Sequence, residues 1–309
     1  MRWAIIYEPS TNVSCFRKPV SVLRKPYKTP NIFLCATTKN MQRIFIATAL
    51  ILFTSLTAHA QDRFFGRTYT TNILPKGNVD LEFWHTSRFG HENQYYHAQD
   101  QRMELEFGLG HNWQTAFYFN RYQERYSDSS DGTLTSNEIG FSNEWKWKLS
   151  DPTLNRLGAA LYGEWGVKGG DELEFEGKLI LDKYVGKNLF AFNGVFEYEK
   201  EFEWEDGKIK SGESETPVEF DLAYMYNFNS SFGLGFELRN LNQIEKDEGW
   251  KNSVLYGGPT INYRTGKWFV IANYLPQWVN LHKTDESPGS KVLDDQERTE
   301  ARILVGISF

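Results

Sequence analysis

Cysteine is missing from residues 61–309; the chain's two, Cys15 and Cys35, both precede that stretch. A thiol-free chain runs no risk of wrong disulfides in an oxidising compartment. Long apolar runs are missing too. A membrane-crossing helix needs roughly 20 consecutive apolar residues, and nothing after Ala60 approaches that. Basic residues are scarce. Eight of the 34 Lys and Arg but only one of the 40 Asp and Glu fall in residues 1–60, leaving 26 bases against 39 acids and a net charge of −13 over 61–309. That balance excludes nucleic acid as a partner, because phosphate backbones are held by clustered positive charge.

The one apolar run that exists is Met41–Ala60. It has a basic start at Arg43, an unbroken apolar stretch from Ile44 to Phe53 and the small-x-small ending Ala58-His59-Ala60. This is the pattern of a signal peptide cleaved after Ala60. An uncleaved anchor is the alternative. Residues 1–40 are basic and without sustained period, and read as an over-called start upstream of Met41, with a transit peptide as the competing reading. The expected mature domain is 61–309.

What fills that domain is alternation. Met103, Leu105, Phe107 and Leu109 interleave with Arg102, Glu104, Glu106 and Gly108. A two-residue period places one set on each face of a strand, whereas a helix would scatter them. The pattern recurs around Phe83, Phe117, Trp145, Leu161, Phe175, Phe192, Leu222, Phe236 and Ile303. Two segments, Val254–Arg264 and Trp268–Gln277, are less clean: Phe269 and Ile271 interrupt a polar face, and Pro259 and Pro276 weaken both as central strands. In all, about twelve strands are expected, and an even number.

Connections alternate in length. Those at 110–112, 149–155, 185–188, 229–231 and 265–267 are short; those expected at 87–98, 122–136, 200–216, 243–252 and 280–297 are long, and 168–171 breaks the rule. Short turns on one side and long loops on the other, with an aromatic apolar face, describe a closed antiparallel transmembrane β-barrel of the outer-membrane type. Trp113, Trp147, Phe190, Phe228, Phe232 and Trp268 lie near the short turns and would form an interfacial girdle. A soluble lipocalin-like barrel is the alternative.

The opening Phe65-Gly66-Arg67-Thr68-Tyr69, then Leu74-Pro75-Lys76-Gly77 and Leu81-Glu82-Phe83-Trp84, resembles a family of uncharacterised outer-membrane proteins. More loosely it resembles the transporters grouped under the phenol-degradation meta-pathway name. The resemblance implies a barrel with a transport role and supplies no catalytic residues. The last strand, ending in Phe309, also resembles the signal by which such barrels engage the barrel-assembly machinery, so that machinery and outer-membrane lipid are the expected partners.

Strand parity then assigns a charged lumen. Inward acids are Glu82, Glu104, Glu106, Glu138, Glu144, Glu164, Glu174, Glu176, Glu197, Glu199, Glu219, Asp221, Glu237 and Glu300; inward bases are Arg102, Lys146, Lys178, Arg239, Arg264, Arg298 and Arg302. So many ionisable groups face inward only if wet or paired. Two readings follow: a hydrated pore with an acidic wall that favours small polar or cationic solutes, or a lumen closed by interlocking salt bridges. An enzyme is a third class. Five histidines are available, His85, His91, His97, His111 and His282, with His91, His97 and Asp100 the nearest to a site, but no serine with a fixed partner stands out. Asp128–Gly132 reads as a turn rather than a calcium loop. No metal or cofactor is expected, and nothing cradles phosphate.

Overall fold

A period of two over ten or more residues commits a segment to strand, and one apolar face per strand commits the sheet to burying that face in lipid. The computed structural model describes residues 63–309 apart from 93, 129–131, 206–207, 247–248 and 286. The expected leader and signal peptide lie outside the described residues. Thirteen strands follow in chain order: β1 (Val79–Phe89), β2 (Tyr96–Gly110), β3 (Trp113–Asp128), β4 (Gly132–Ser150), β5 (Gly158–Lys168), β6 (Glu172–Val185), β7 (Asn188–Glu205), β8 (Lys208–Glu215), β9 (Val218–Asn227), β10 (Phe232–Glu245), β11 (Gly249–Thr265), β12 (Trp268–His282) and β13 (Thr299–Ser308). Apart from β8 and β9, which do not pair with each other, each pairs antiparallel with its sequence neighbours, and β1 closes on β13 from Asp80↔Ser308 to Phe89↔Thr299. Both β8 and β9 pair with β7, one above the other, so together they make a single stave interrupted at Thr216-Pro217, where proline lacks the ladder N–H. The result is the expected closed barrel of twelve staves.

Three expected loops prove to be mostly strand. Residues 122–136, 200–216 and 243–252 extend the β3–β4, β7–β8 and β10–β11 hairpins. The physical reason is that backbone pairing continues beyond the membrane, while the apolar face that betrays a strand is needed only against lipid. The long connection at 283–298 does remain irregular. Pro259 and Pro276 are accommodated on facing strands: β11–β12 pairing stops between Tyr256↔Gln277 and Thr260↔Asn273, and both prolines lie in that gap. Gly258 is required there, because a Cβ on it would stand 1.9 Å from the Tyr274 carbonyl oxygen.

The outward face carries exposed Phe83, Phe119, Trp145, Phe175, Phe196 and Leu222. At the short-turn end Trp113 stacks on Trp147 with centroids 5.3 Å apart and Phe228 on Phe232 at 5.6 Å, giving part of the expected girdle. The inward face is buried and polar, with Asp80, Glu82, Glu104, Glu144 and Glu237 fully covered.

What covers them is the chain itself. Residues 63–78 do not pair with the sheet as a strand; they run inside the barrel. The segment leaves the foot of β1 over Gly108, through backbone bonds from Gly77 N to Gly108 O and from Gly108 N to Asn78 O. A Cβ on Gly108 would lie 2.0 Å from the Pro75 carbonyl, so only glycine leaves room for this passage. From there it is held by side chains around the inner wall. Leu74 N donates to Gln114 on β3, Thr71 N and Oγ1 to Asp182 on β6, and Tyr69 N to Asn193 on β7. Glu237 on β10 accepts from the N–H groups of Gly66, Arg67 and Thr68 at 2.8–3.0 Å. Asn262 on β11 donates to the Phe64 carbonyl. Arg63, 2% exposed, ends the circuit between Glu82 and Glu104, its guanidinium 4.2 Å from the Trp84 ring centre and 4.1 Å from that of Tyr69. Phe65 packs on Leu189, Ala191, Ala223 and Met225. Tyr69 packs on Ala160, Tyr162 and Ile180.

Two outcomes are expected. Leu222→Arg, placing a charge on the lipid face, should destabilise the barrel by about 2–4 kcal/mol in a denaturant refolding titration into lipid. Glu237→Ala strips two buried N–H groups and one half-buried one of their acceptor, each buried one worth about 1–3 kcal/mol. Trypsin should then cleave after Arg63 or Arg67 at least about tenfold faster, while the barrel keeps its heat-modifiable gel migration. Unchanged cleavage would mean that Glu237 does not hold the segment.

Candidate functional site

Above the segment, toward the β3–β4 and β7–β8 hairpins, the lumen opens into a cavity of about 310 Å³. Its floor carries Arg67 and Tyr69 from the N-terminal segment; its walls carry inward residues of β1–β3, β5–β7, β9, β10 and β13, with Gln296 and Glu297 from the 283–298 connection. That connection folds inward because Val292 packs with Val254, Tyr256 and Leu275, while Gln277 donates to the Val292 carbonyl and accepts from its N–H.

Of the residues that strand parity placed in the lumen, Arg102, Glu164, Glu174, Glu176, Lys178, Glu197, Glu219, Asp221, Arg239, Glu300 and Arg302 line this cavity together. Glu104, Glu106, Glu144, Lys146, Glu237 and Arg264 face inward at the level of the N-terminal segment, outside the cavity. There Glu104 meets Arg63, Glu106 accepts from Gln114, Glu144 accepts from Tyr118, and the Arg264 guanidinium lies 5.6 Å from the Phe269 ring centre. Lys146 is fully buried, with its ammonium 5.8 Å from the Tyr69 ring centre. Phe269 and Ile271 face inward, where they form an apolar cluster with Trp84 and Leu304. Arg298 stands apart: it precedes β13, is exposed, and sits beside Gly90 at the rim.

Ion pairing around the cavity is uneven. Glu219 and Glu300 hold Arg67 and Arg239: Arg239 Nε lies 2.6 Å from Glu219, Arg67 Nη2 3.1 Å from Glu219, and both arginines reach Glu300 at 3.4–3.5 Å. Arg302 reaches Glu300 at 3.7 Å and Arg102 reaches Glu164 at 3.8 Å. Lys178 pairs with Glu176 at 2.7 Å, Arg88 with Asp100 at 3.1 Å, and Arg239 also with Glu297 at 3.8 Å. Every base of the lining is thus engaged by an acid.

Sequence reasoning did not find Arg67, Tyr69, Arg88, Tyr122 or Glu297 as lining residues. Arg67 and Tyr69 lie in the Phe65–Tyr69 motif, which lacks a clean alternation, so no periodicity points them inward. A usable signal was their position: a non-periodic stretch directly ahead of the first strand.

The other candidates do not assemble. Ser87 and His97 share a hydrogen bond of 2.7 Å, yet among the described residues no acid or amide bonds the other His97 nitrogen, so the orienting third group of a nucleophilic triad is missing. His91 lies in the 90–95 connection, stacked on Tyr96, and burial holds its imidazole below the usual range. Asp80, Glu82 and Glu106 bring carboxylate oxygens within 4.8 Å of one another, but Arg63 at 3.4 Å from Glu82 and Gln114 against Glu106 already supply charge and hydrogen bonds there. Part of the Asp128–Gly132 turn lies outside the described residues. The acidic stretch 199–205, most of which falls in the connection expected at 200–216, is strand, and Glu199 lines the cavity.

Comparison with solved structures finds barrels of the same fold. The COG4313 outer membrane channel from Pseudomonas putida F1 is similar at 11% identity, with a TM-score of 0.56 over 77% of this chain and 98% of that one. The translocator domain of the autotransporter NalP from Neisseria meningitidis is similar at 12% identity, with a TM-score of 0.54 over 88% and 96%. The beta domain of the Bordetella autotransporter BrkA is similar at 9% identity, with a TM-score of 0.51 over 76% and 100%. At these identities the likeness is one of fold: a closed transmembrane β-barrel. No curated protein matches the sequence. A family model matches residues 57–309, and the chain belongs to that family, the family of unknown function DUF6662.

Proposed function

We propose that the protein is a bacterial outer-membrane channel that admits small polar or cationic solutes to an acidic outer vestibule, with residues 63–78 held across the inner half of the lumen as its closing element. The carrying observation is the division of the lumen. The inner half is filled by a segment anchored through side chains, whereas the outer half is a hydrated-size cavity lined by ten acids and six bases. A side-chain-anchored segment opens by breaking discrete contacts such as Glu237 with Gly66–Thr68, without tearing the barrel's ladder. An excess of carboxylates at a narrow mouth concentrates cations and repels anions. The described likeness to an outer membrane channel supports the same reading at the level of architecture. Export through the signal peptide at 41–60 belongs to this proposal.

A second reading has its own support: the interlocked inner half is that of a barrel that stays closed. Planar-bilayer conductance separates the two. Refolded residues 61–309 should give discrete steps with cation preference, and Glu237→Ala should raise the frequency of those steps. Silence from both proteins, with folding and insertion shown, would select the closed barrel.

A further inference from the structure

Around the outer cavity, ion pairing accounts for six of the ten acids and leaves four: Glu174, Glu197, Glu199 and Asp221. Among the described residues none of the four has a basic group within ion-pairing distance. All four lie on one wall, on β6, β7 and β9, which are neighbours in the sheet. Their register makes a ladder. Glu174 stands directly opposite Glu199, and Glu176 directly opposite Glu197. One step deeper Glu219 opposes Val195, and one step deeper again Asp221 opposes Asn193.

Like charges directly opposite each other destabilise a sheet. Asp221 adds an independent observation: it is 2% exposed, it lines the cavity, and its Oδ1 has no hydrogen-bond partner among the described residues. A buried carboxylate oxygen without a partner costs free energy that a ligand donor would recover. Glu176 and Glu197, and Glu219 and Asp221, lie within hydrogen-bonding reach of each other, so the wall is completed either by shared protons or by cations, and only a cation also reaches Asp221 Oδ1.

The arrangement selects among cations. A single metal ion needs several carboxylates converging on one point, and among the described residues no three cavity carboxylates come within 4.8 Å of one another. Successive rungs on one strand face lie about 6.6 Å apart, which is the reach of a short alkyl chain between two ammonium groups. The basic groups Arg102 and Arg302 are already engaged by Glu164 and Glu300, which favours a ligand without a carboxylate of its own.

We propose that the β6–β7–β9 wall is a binding site for linear polyamines, their ammonium groups seated at the Glu174–Glu199 rung and at Glu197, and the chain directed down toward Asp221. This rests on reading the cavity as a solute vestibule, and names the solute class.

The test is calorimetric titration of the purified protein in detergent micelles, at constant ionic strength, with spermidine, butylamine and magnesium chloride in turn. Spermidine should bind saturably and at least about tenfold tighter than butylamine or magnesium. The double variant E174Q/E199Q should weaken spermidine by about tenfold or more while keeping heat-modifiable migration; E197Q serves as a second variant should the double one fail to fold. Equal binding of butylamine, tighter binding of magnesium, or binding unchanged in a folded variant would overturn the site. Binding in micelles needs no conduction, so a silent bilayer beside tight spermidine binding defeats the channel reading alone, and cation-selective conductance without spermidine binding defeats this inference alone.

Discussion

Lipid offers no hydrogen bonds to a backbone, so a sheet that enters it must leave no edge. The β1–β13 seam meets that demand, and much of the rest follows from it. Once the sheet is closed, each strand's second face has nowhere to point but inward. Whatever polar residues that face carries must be satisfied by water, by one another or by another stretch of chain. The protein uses all three routes at different heights.

In the inner half, the satisfying partner is the N-terminal segment. Its backbone N–H groups, which have no strand to pair with, are taken by Gln114, Asp182, Asn193 and Glu237, and in return it covers those side chains. Replacing a fully buried, hydrogen-bonded charge by apolar packing is often neutral for stability, whereas removing one partner of a buried ion pair costs about 3–5 kcal/mol. A charged inner half is therefore a means of specifying where the segment lies more than a source of net stability. In the outer half the balance is left open: bases run out before acids do, and the remainder gathers on β6, β7 and β9. Segregation of surplus charge on one wall is what a structure built only for closure would avoid.

The strands were legible because lipid enforces the period: Phe83, Phe175 and Leu222 point outward and Glu82, Glu174 and Asp221 inward, as alternation alone requires. The outer hairpins were not, because beyond the membrane no apolar face marks a strand, and 200–216 reads as a loop although it pairs through most of its length. Arg298 shows the limit of parity. It continues the alternation of β13 by one step, but the strand begins at Thr299, and the side chain ends exposed at the rim. The N-terminal segment shows a different limit. Phe65–Tyr69 carries the family resemblance, yet its place in the lumen depends on residues 40 to nearly 200 positions away in sequence, and no local pattern encodes such contacts.

The central claim is that residues 63–78 lie inside the barrel, and a disulfide tests it most directly. Residues 61–309 contain no cysteine, so Gly66→Cys with Asn273→Cys introduces a single pair. A Cβ built at Gly66 stands 3.3 Å from the Asn273 Cβ, close to the roughly 3.5–4.5 Å of a disulfide. The structure predicts that mild oxidation of the folded, membrane-inserted double variant yields an intramolecular disulfide with no thiol left for maleimide. Two reactive thiols after oxidation, in a barrel shown to be folded, would contradict the account.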